Sequence, residues 1–568
     1  MKKGTIRFAA VALGLGLAAA EAMPGPDGWT TAEPAQVSGD TPATGEGWEV
    51  HPLVTIGEQN AAGADVNLQQ LGVRPPGILD GMGAFRWTKH TVRVFVNHEL
   101  GATTGYAYRL ANGTTLTGAR VSWFDIDRKS RKVCGSGPAY DRVFDRSGNV
   151  VTSASQINEG GSGGFDRFCS AHGFADGESG FHDDIYFCGE ETDEGQECAI
   201  DVRGGDLYVA PMLGRAAWEN LCALENFRSD KIVLLLSDDT TPAPFYLYVG
   251  KRGSAPAQGY DPPRFLKRNG LGLGQLYVWV SDSGDLDPTD FRGTGASRKG
   301  KFKRIGHFDP SRAGTPGWDA LGFAKQQTQY DAANALGAFL VARPEDVSAN
   351  PEDGTEAVAV ATGASGFAGG ADSWGTVYLV DLDDRDLAKQ LDKDLSKIET
   401  IKATIRILYD GNDSGDGQFP APDYGLRSPD NLDWADDGTI YIQEDDAIGG
   451  FGATSHVEAS VWQLDPCSGE IRRILEIDRG AVPRNQTDTD PGDIGDWETS
   501  GVLDVTELFK VKRGETLLLL DVQAHSLRGG GLKQNAASES ADLVQGGQLL
   551  LVSKTTTKRA RDDDEKDD

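Results

Sequence analysis

Basic residues are scarce in this sequence relative to acidic ones. The 568 residues include 55 lysines and arginines against 86 aspartates and glutamates, which gives a formal net charge of −31. A chain this acidic repels the phosphates of nucleic acids and the headgroups of anionic membranes, so we expect it to bind neither. An anionic substrate is compatible with this charge only where bound cations reverse the local field.

Long apolar runs are lacking, apart from one near the N-terminus. A basic segment over 2–7 precedes an apolar stretch over 8–20, and Ala20-Glu21-Ala22 has the small-x-small pattern of a cleavage site. The apolar stretch is too short for a stable membrane span. We therefore predict a signal peptide over 1–22, no transmembrane segment, and a protein that is secreted or periplasmic.

Cysteine is sparse as well. The chain contains Cys134, Cys169, Cys188, Cys198, Cys222 and Cys467. Export permits disulfides, and an even number of cysteines favours full pairing, but the spacing does not identify the pairs. Reserving one cysteine for a metal would leave an odd number.

Composition separates the two ends of the chain from its middle. Residues 23–48 are rich in proline, glycine, alanine and threonine and predict a flexible leader. Residues 555–568 finish in a run of like charges, which predicts a disordered acidic tail. We assign residues 49–554 to one folded domain.

Patterns typical of long helices are scarce in that domain. Short segments of β-branched and aromatic residues recur between turn residues, as at 92–96, 232–237 and 516–521. Helices are predicted only for three short segments, 218–225, 325–336 and 386–395. Many short strands with few helices predict an all-β fold, and we favour a six-bladed β-propeller with loop insertions over a sandwich.

Two repeated units favour the propeller. Residues 428–434 lead through Asp436-Asp437-Gly438 into a strand at 439–442, and residues 343–347 open a similar unit. The innermost strand of a propeller blade begins near the central channel, so the loop before it directs side chains to the channel mouth. Repetition of this layout brings carboxylates from several blades to one point.

Acidic side chains at predicted strand ends are candidate ligands for a metal ion. They are Glu99, Glu190, Glu191, Glu219, Asp238, Asp239, Glu345, Asp430 and Asp521. A hard cation such as Ca²⁺ takes about six to eight oxygen ligands, which a channel ringed by carboxylates supplies. The alternative for any one of them is a turn aspartate that bonds its own backbone.

A series of short motifs occurs in a fixed order between about residues 70 and 550. They are GILDGMGAF at 77–85 with VNHEL at 96–100, FCSA at 168–171 with IYFCGEE at 185–191, LGRAAWE at 213–219, LSDD at 236–239, RPE at 343–345 and SPD at 428–430. Each motif is unspecific alone. In this order they resemble the PhoX-type alkaline phosphatases.

The resemblance implies a propeller enzyme that hydrolyses phosphomonoesters at a cluster of iron and calcium ions. The metal ligands that it implies are Cys169, Glu191, Glu219, Asp239, Glu345 and Asp430. Among them, Cys169 and Asp430 would bind iron, and Glu345 would lie at the core of the cluster. A thiolate is a better ligand for iron than for calcium.

Arg343 and Glu345 are the catalytic residues that the resemblance implies. Arg343 would hold an oxygen of the substrate phosphate, which suits the planar fork of a guanidinium group. The metal ions would neutralise developing charge and activate an oxygen nucleophile.

Other functions stay open at the level of the sequence. A calcium-dependent lactonase or other esterase on a similar propeller would also place acidic ligands at the channel mouth, with calcium alone and Cys169 in a disulfide. A non-catalytic propeller that binds calcium for stability is a third reading, since fold alone does not give function. No His-Glu-x-x-His pair and no P-loop occurs, which disfavours a zincin protease and a nucleoside triphosphatase.

Overall fold

The computed structural model describes residues 28–39, 44, 47–158, 163–532 and 542–555. Within these residues antiparallel strands dominate and are grouped into sheets around a central channel. The predicted signal peptide, parts of the predicted leader, and residues 556–568 of the predicted tail lie outside the described residues. No helix in the described part of the chain is long and apolar enough to cross a bilayer.

The channel is lined by six strands, and each belongs to a different, mainly antiparallel sheet unit. We call the strand at the channel the first strand of its unit and number the others outward from it. In chain order, units 1 to 6 begin with Leu79–Arg86, Phe168–Phe174, Trp218–Leu224, Pro344–Ala349, Pro429–Trp434 and Trp497–Asp504. Each first strand contacts the first strands of its two neighbours, and the last contacts the first, so the ring closes. The predicted all-β propeller is thereby confirmed.

The remaining strands of each unit extend outward from the channel. Unit 1 adds Thr91–His98, Arg120–Asp127 and Val133–Pro138, and unit 2 adds Ile185–Glu190, Glu197–Asp201, Asp206–Val209 and Arg142–Phe144. Unit 3 adds Lys231–Asp238, Tyr246–Lys251, Gly274–Ser281 and Ser297–Ile305, and unit 4 adds Glu356–Ala361, Thr376–Leu382 and Thr400–Asp410. Because Ser297–Ile305 pairs with Thr400–Asp410, units 3 and 4 share one nine-stranded sheet.

Units 5 and 6 take strands from both ends of the described chain. Unit 5 adds Ile440–Glu444, Ser460–Leu464, Ile471–Ile477 and Val37–Ser38, and unit 6 adds Glu515–Ala524, Gly546–Thr555 and Trp48–Thr55. The pairing of Trp48–Thr55 with Gly546–Thr555 closes the propeller. Since Val37–Ser38 belongs to a sheet, the structure places this part of the predicted leader in the fold.

Short elements fill the connections between the strands. Two-stranded ladders join Tyr108–Arg109 to Thr115–Leu116, Ala243–Pro244 to Leu340–Val341, and Gln486–Asp488 to Leu527–Gly529. The α-helices are Val66–Leu71, Arg264–Arg268, Gln326–Leu336, Asp384–Leu391 and the single turn Ser414–Gly417. The helices predicted at 325–336 and 386–395 are confirmed, the second with its bounds shifted towards the N-terminus.

The helix predicted at 218–225 is wrong. The segment is the first strand of unit 3, Trp218–Leu224, and every residue in it is buried. A short apolar run in a strand that is covered on both faces cannot be told from a buried helix by its periodicity alone. The same burial on both faces explains the unbroken run of leucines from Leu517 to Leu520 in unit 6.

All six cysteines lie within the described residues, and all six are free thiols. Cys188 and Cys198 face one another as register partners on adjacent strands of unit 2. The full pairing that an even number of cysteines favours is therefore not present in the structure, because the other four are spread over separate units. Cys169 in particular is left unbridged at the channel.

A fully buried ion pair fixes the entry into unit 5. Arg427 lies two residues before the first strand, and Glu444 is the last residue of the second strand. The guanidinium donates from Nε to Glu444 Oε1 at 3.1 Å and from Nη2 to Oε2 at 2.8 Å, and both side chains are inaccessible to solvent. Its Nη1 also lies 3.3 Å from Asp423 Oδ1, so loss of Glu444 would remove the bidentate partner and leave Arg427 with a single, longer ion pair.

We expect Glu444→Gln to lower the free energy of unfolding by about 1.5–3 kcal/mol, because the substitution removes the charged, bidentate partner of the buried Arg427 guanidinium and leaves Asp423 as its carboxylate contact. The matched control is Glu399→Gln, which removes the partner of Arg304 in an ion pair whose Glu399 side chain is 64% exposed. That change should cost less than about 1 kcal/mol. Urea unfolding of both variants tests the difference, and equal losses would contradict it.

Candidate metal centre

The second residue of every first strand carries an acid or a thiol. These six residues, the inner ring, are Asp80, Cys169, Glu219, Glu345, Asp430 and Glu498. In units 1 to 5 the strand register shifts immediately at this residue, as it does between Leu79 and Met82. A β-bulge of this kind bends the strand and redirects a side chain. The repeated bulge thus presents one ligand from each unit at the same end of the channel.

A second set of polar residues follows the second strand of each unit. These residues, the rim, are Glu99, Glu191, Asp239, Thr362, Asp445 and His525. The first residue of each first strand pairs with the last residue of the second strand, as Pro344 does with Ala361. The backbone of each rim residue therefore lies close to the backbone of the inner-ring residue of its own unit. Four rim residues are carboxylates.

The carboxylates and the thiol form groups whose ligand atoms lie within 4.8 Å of one another. The four groups are Asp80 with Glu99 and Cys169, Cys169 with Glu191 and Glu219, Glu219 with Glu345 and Asp430, and Asp430 with Asp445 and Glu498. Neighbouring groups share a member. The groups therefore make one continuous series around the channel mouth.

Asp80 links units 6, 1, 2 and 5 through its carboxylate. It accepts hydrogen bonds from the Cys169 thiol at 3.3 Å, from the Gln523 amide at 2.8 Å and from the Asn431 amide at 3.2 Å. Burial, reinforced by the charge of Glu99, raises the pKa of Asp80 to about 8. Burial and the charge of Asp80 likewise raise the pKa of the Cys169 thiol.

The centre of the series is too acidic to be stable by itself. Burial raises the pKa of Glu219, Glu345 and Asp430 well above the usual carboxyl range, and the charges of neighbouring carboxylates add to the shift. Glu219 Oε2 is buried without a hydrogen-bond partner. Buried polar atoms normally have a partner, and a cation bound at Glu219 Oε2 would supply the contact that this oxygen lacks. The donor set fits hard cations at the carboxylates and a softer metal at Cys169.

Arg343 brings positive charge to this acidic mouth. It lies two residues before Glu345, with a left-handed φ of 53°. Its Nε donates to Asp239 Oδ1 at 2.8 Å, and Nη2 lies 3.1 Å from Glu345 Oε1. Although burial raises the pKa of Asp239, the guanidinium charge holds that pKa below its usual value. The Arg343 side chain is still 27% exposed, so its guanidinium reaches the mouth.

The residues that the resemblance selected all lie at this mouth. The structure brings together Cys169, Glu191, Glu219, Asp239, Glu345 and Asp430, with Arg343 among them. Glu190 and Asp238, the neighbours of two rim residues, point elsewhere: Glu190 accepts from the Gln196 amide, and Asp238 from the Tyr330 hydroxyl. Successive side chains of a strand point to opposite faces, which separates each of these pairs.

Sequence reasoning did not select Asp80, Asp445, Glu498 or Arg167. One signal could have found Asp80 and Glu498. Leu79-Asp80-Gly81, Phe168-Cys169-Ser170, Trp218-Glu219-Asn220, Pro344-Glu345-Asp346, Pro429-Asp430-Asn431 and Trp497-Glu498-Thr499 repeat an apolar residue, a ligand and a small or polar residue. Two other spacings could have found Arg167 and Asp445: Arg167 precedes Cys169 by two residues as Arg343 precedes Glu345, and Glu444-Asp445 ends a second strand with two acids as Glu190-Glu191 does.

Asp521 differs from the other predicted acidic candidates. It lies within the second strand of unit 6, fully buried, and neither of its carboxylate oxygens has a hydrogen-bond partner. Burial raises its pKa well above the usual range, and the charges of Asp80 and Glu498 raise it further. It belongs to none of the four ligand groups.

Comparisons with known proteins give a structural relative and no sequence relative. No protein-family model matches the chain, and no curated protein does. The structure is similar to that of Pseudomonas fluorescens PhoX in complex with vanadate, a transition state analogue, with 17% identity and a TM-score of 0.56. That match covers 93% of this chain and 97% of the other.

Two further solved structures match less well. A luciferin-regenerating enzyme shares 8% identity at a TM-score of 0.23, covering 68% of this chain and 92% of its own. YCF48 bound to D1 peptide shares 9% identity at a TM-score of 0.29, covering 93% and 100%. Of these three structures, PhoX has a TM-score above 0.5, and the fold implied by the motif order is the fold that the two chains share.

Proposed function

We propose that this protein is a secreted, metal-dependent phosphoesterase that hydrolyses phosphomonoesters at the channel mouth, as an alkaline phosphatase does. The observation that carries the proposal is the position of Arg343, held between Asp239 and Glu345 beside four overlapping groups of metal-ligating side chains. The shared fold with PhoX, solved with a transition state analogue, supports it. The signal-peptide pattern over 1–22 supports export.

Calcium and iron are the metals that we propose for the centre. The carboxylates of Glu191, Glu219 and Asp239 suit calcium, and the thiolate of Cys169 with Asp430 suits iron. Glu345 lies between the two sets, since its ligand atom is within 4.8 Å of those of Glu219 and Asp430. Bound metal ions would offset the negative charge of a phosphoryl group and activate an oxygen nucleophile.

The protein's own residues orient the substrate. Arg343 offers a planar fork of N–H donors that matches two phosphate oxygens. Asp239 holds one edge of that fork, and Asp445 lies 3.6 Å from Nη1 on the other side. A guanidinium restrained on several sides loses little rotational freedom when it binds an anion, so its position is set before the substrate arrives.

We expect the purified protein to hydrolyse 4-nitrophenyl phosphate, and we expect chelation to abolish this turnover. The reason is that the acidic mouth repels a phosphate dianion unless cations neutralise it. Activity is measured before chelation, after it, and after adding back calcium, iron or both. Turnover of lactones without phosphatase activity would favour a lactonase. An inactive protein under every metal condition would contradict the proposal and leave a calcium-binding propeller.

Glu345→Gln should reduce kcat/KM by at least about a hundredfold, because it removes a charged ligand from the middle of the series. Arg343→Gln should instead raise KM by about tenfold, since it removes charge-assisted hydrogen bonds to the phosphate. Glu399→Gln, on the exposed surface, is the control for both. Circular dichroism should show that all three variants keep the fold, and unchanged turnover in Glu345→Gln would remove Glu345 from the site.

Elemental analysis separates the two metals. We expect wild-type protein to contain both iron and calcium, and Cys169→Ser to lose iron while it keeps calcium, because a serine hydroxyl is a poor substitute for a thiolate ligand of iron. Cys467→Ser, at an exposed thiol, is the matched control. Iron retained in full by Cys169→Ser would assign it to other ligands, and wild-type protein with calcium alone would exclude the iron proposal.

A further inference from the structure

Arg167 occupies in unit 2 the position that Arg343 occupies in unit 4. Each lies two residues before an inner-ring residue, Cys169 and Glu345 respectively, and each has a left-handed backbone, with φ of 51° and 53°. The same left-handed backbone recurs at Ile78 and Ser428, two residues before Asp80 and Asp430, so it is part of the repeated entry into the first strand. In units 2 and 4 this entry directs a guanidinium group to the channel mouth.

The contacts of Arg167 parallel those of Arg343. Its Nε donates to Glu99 Oε1 at 2.9 Å, and its Nη2 lies 2.5 Å from Glu191 Oε1. Like Arg343, it therefore binds the rim carboxylate of the preceding unit. Its side chain is more exposed than that of Arg343, at 47% against 27%.

The two arginines lie on either side of one carboxyl pair. Arg167 contacts Glu191, and Arg343 contacts Asp239. Burial, together with the charges of Glu99 and Asp239, raises the pKa of Glu191, so the two carboxylates lie close together. A ligand whose first anionic group is held by Arg343 therefore reaches Arg167 with a second anionic group only a few bonds away. The two arginines are thus cationic groups among the carboxylates of an acidic mouth.

We propose that Arg167 is a second anion-binding residue and that the preferred substrates are phosphomonoesters with a further carboxylate or phosphate group. The proposal rests on the proposed function, since it places the first phosphate at Arg343. Cations bound at Glu99 and Glu191 would offset the charges that now hold the Arg167 guanidinium. Its exposed N–H groups then face the second anionic group of the substrate.

The experiment compares two substrates that differ only at this second group. Glycerol 3-phosphate and 3-phosphoglycerate share a three-carbon skeleton and one phosphate, but the second has a carboxylate in place of a hydroxymethyl group. We expect the wild-type metalloenzyme to prefer 3-phosphoglycerate by about tenfold in kcat/KM, as one charge-assisted contact provides. Arg167→Gln should remove the preference through a higher KM for 3-phosphoglycerate, and Arg167→Lys should restore part of it.

Two controls separate this role from a structural one. Arg472→Gln changes an exposed arginine on an outer strand of unit 5 and should leave the preference unchanged. Metal content of each Arg167 variant shows whether Glu99 and Glu191 still bind their cations. Loss of metal in both the Gln and Lys variants would assign Arg167 to holding the ligands and overturn the proposal.

The substrate comparison also distinguishes failure of this inference from failure of the proposed function. Wild-type protein that hydrolyses 4-nitrophenyl phosphate but has the same kcat/KM for glycerol 3-phosphate and 3-phosphoglycerate would overturn the inference alone. A preference that survives in Arg167→Gln with full metal content would do the same. Protein that hydrolyses no phosphomonoester would contradict the proposed function itself.

Discussion

Repulsion among buried carboxylates is the constraint on which the rest of this structure depends. Glu219, Glu345 and Asp430 place their oxygens within 4.8 Å of one another and are buried, and Arg343 contacts one of them, Glu345, at 3.1 Å. A cluster of this kind is unfavourable unless cations or protons neutralise it. The two guanidinium groups at the mouth, Arg167 and Arg343, otherwise contact rim carboxylates and thus balance only part of the charge.

The propeller supplies the rigidity that this repulsion requires. In units 1 to 5 the ligand projects from a β-bulge, and in all six units its strand is hydrogen-bonded on one edge and packed against neighbouring units on both sides. Apolar side chains between the units, such as Trp218 and Val347, are fully buried and hold the strands in place. The energetic cost at the channel mouth is therefore offset by packing elsewhere in the sheets.

Much of this arrangement could be predicted from the sequence, and the reasons for the rest are physical. Alternating β-branched segments indicated the propeller, and ordered motifs selected Glu219, Glu345 and Arg343. The first strand of unit 3 was mistaken for a helix because both its faces are buried, which removes the alternation that marks a strand. Arg167 and Asp445 lie in loops next to the strands, and their roles become visible only once the equivalent positions of different units are aligned by the structure.

The closing pair of strands, Trp48–Thr55 with Gly546–Thr555, has a consequence for how the protein matures. Asp80 needs Gln523 and Asn431, and the group of Asp430, Asp445 and Glu498 needs unit 6, so the series is complete only when the two ends of the chain have met. A chain that is still being synthesised and lacks residues 497–555 also lacks its final sheet. The complete series of ligands therefore forms only after the last sheet has folded, so any ion that needs the whole series binds late in folding.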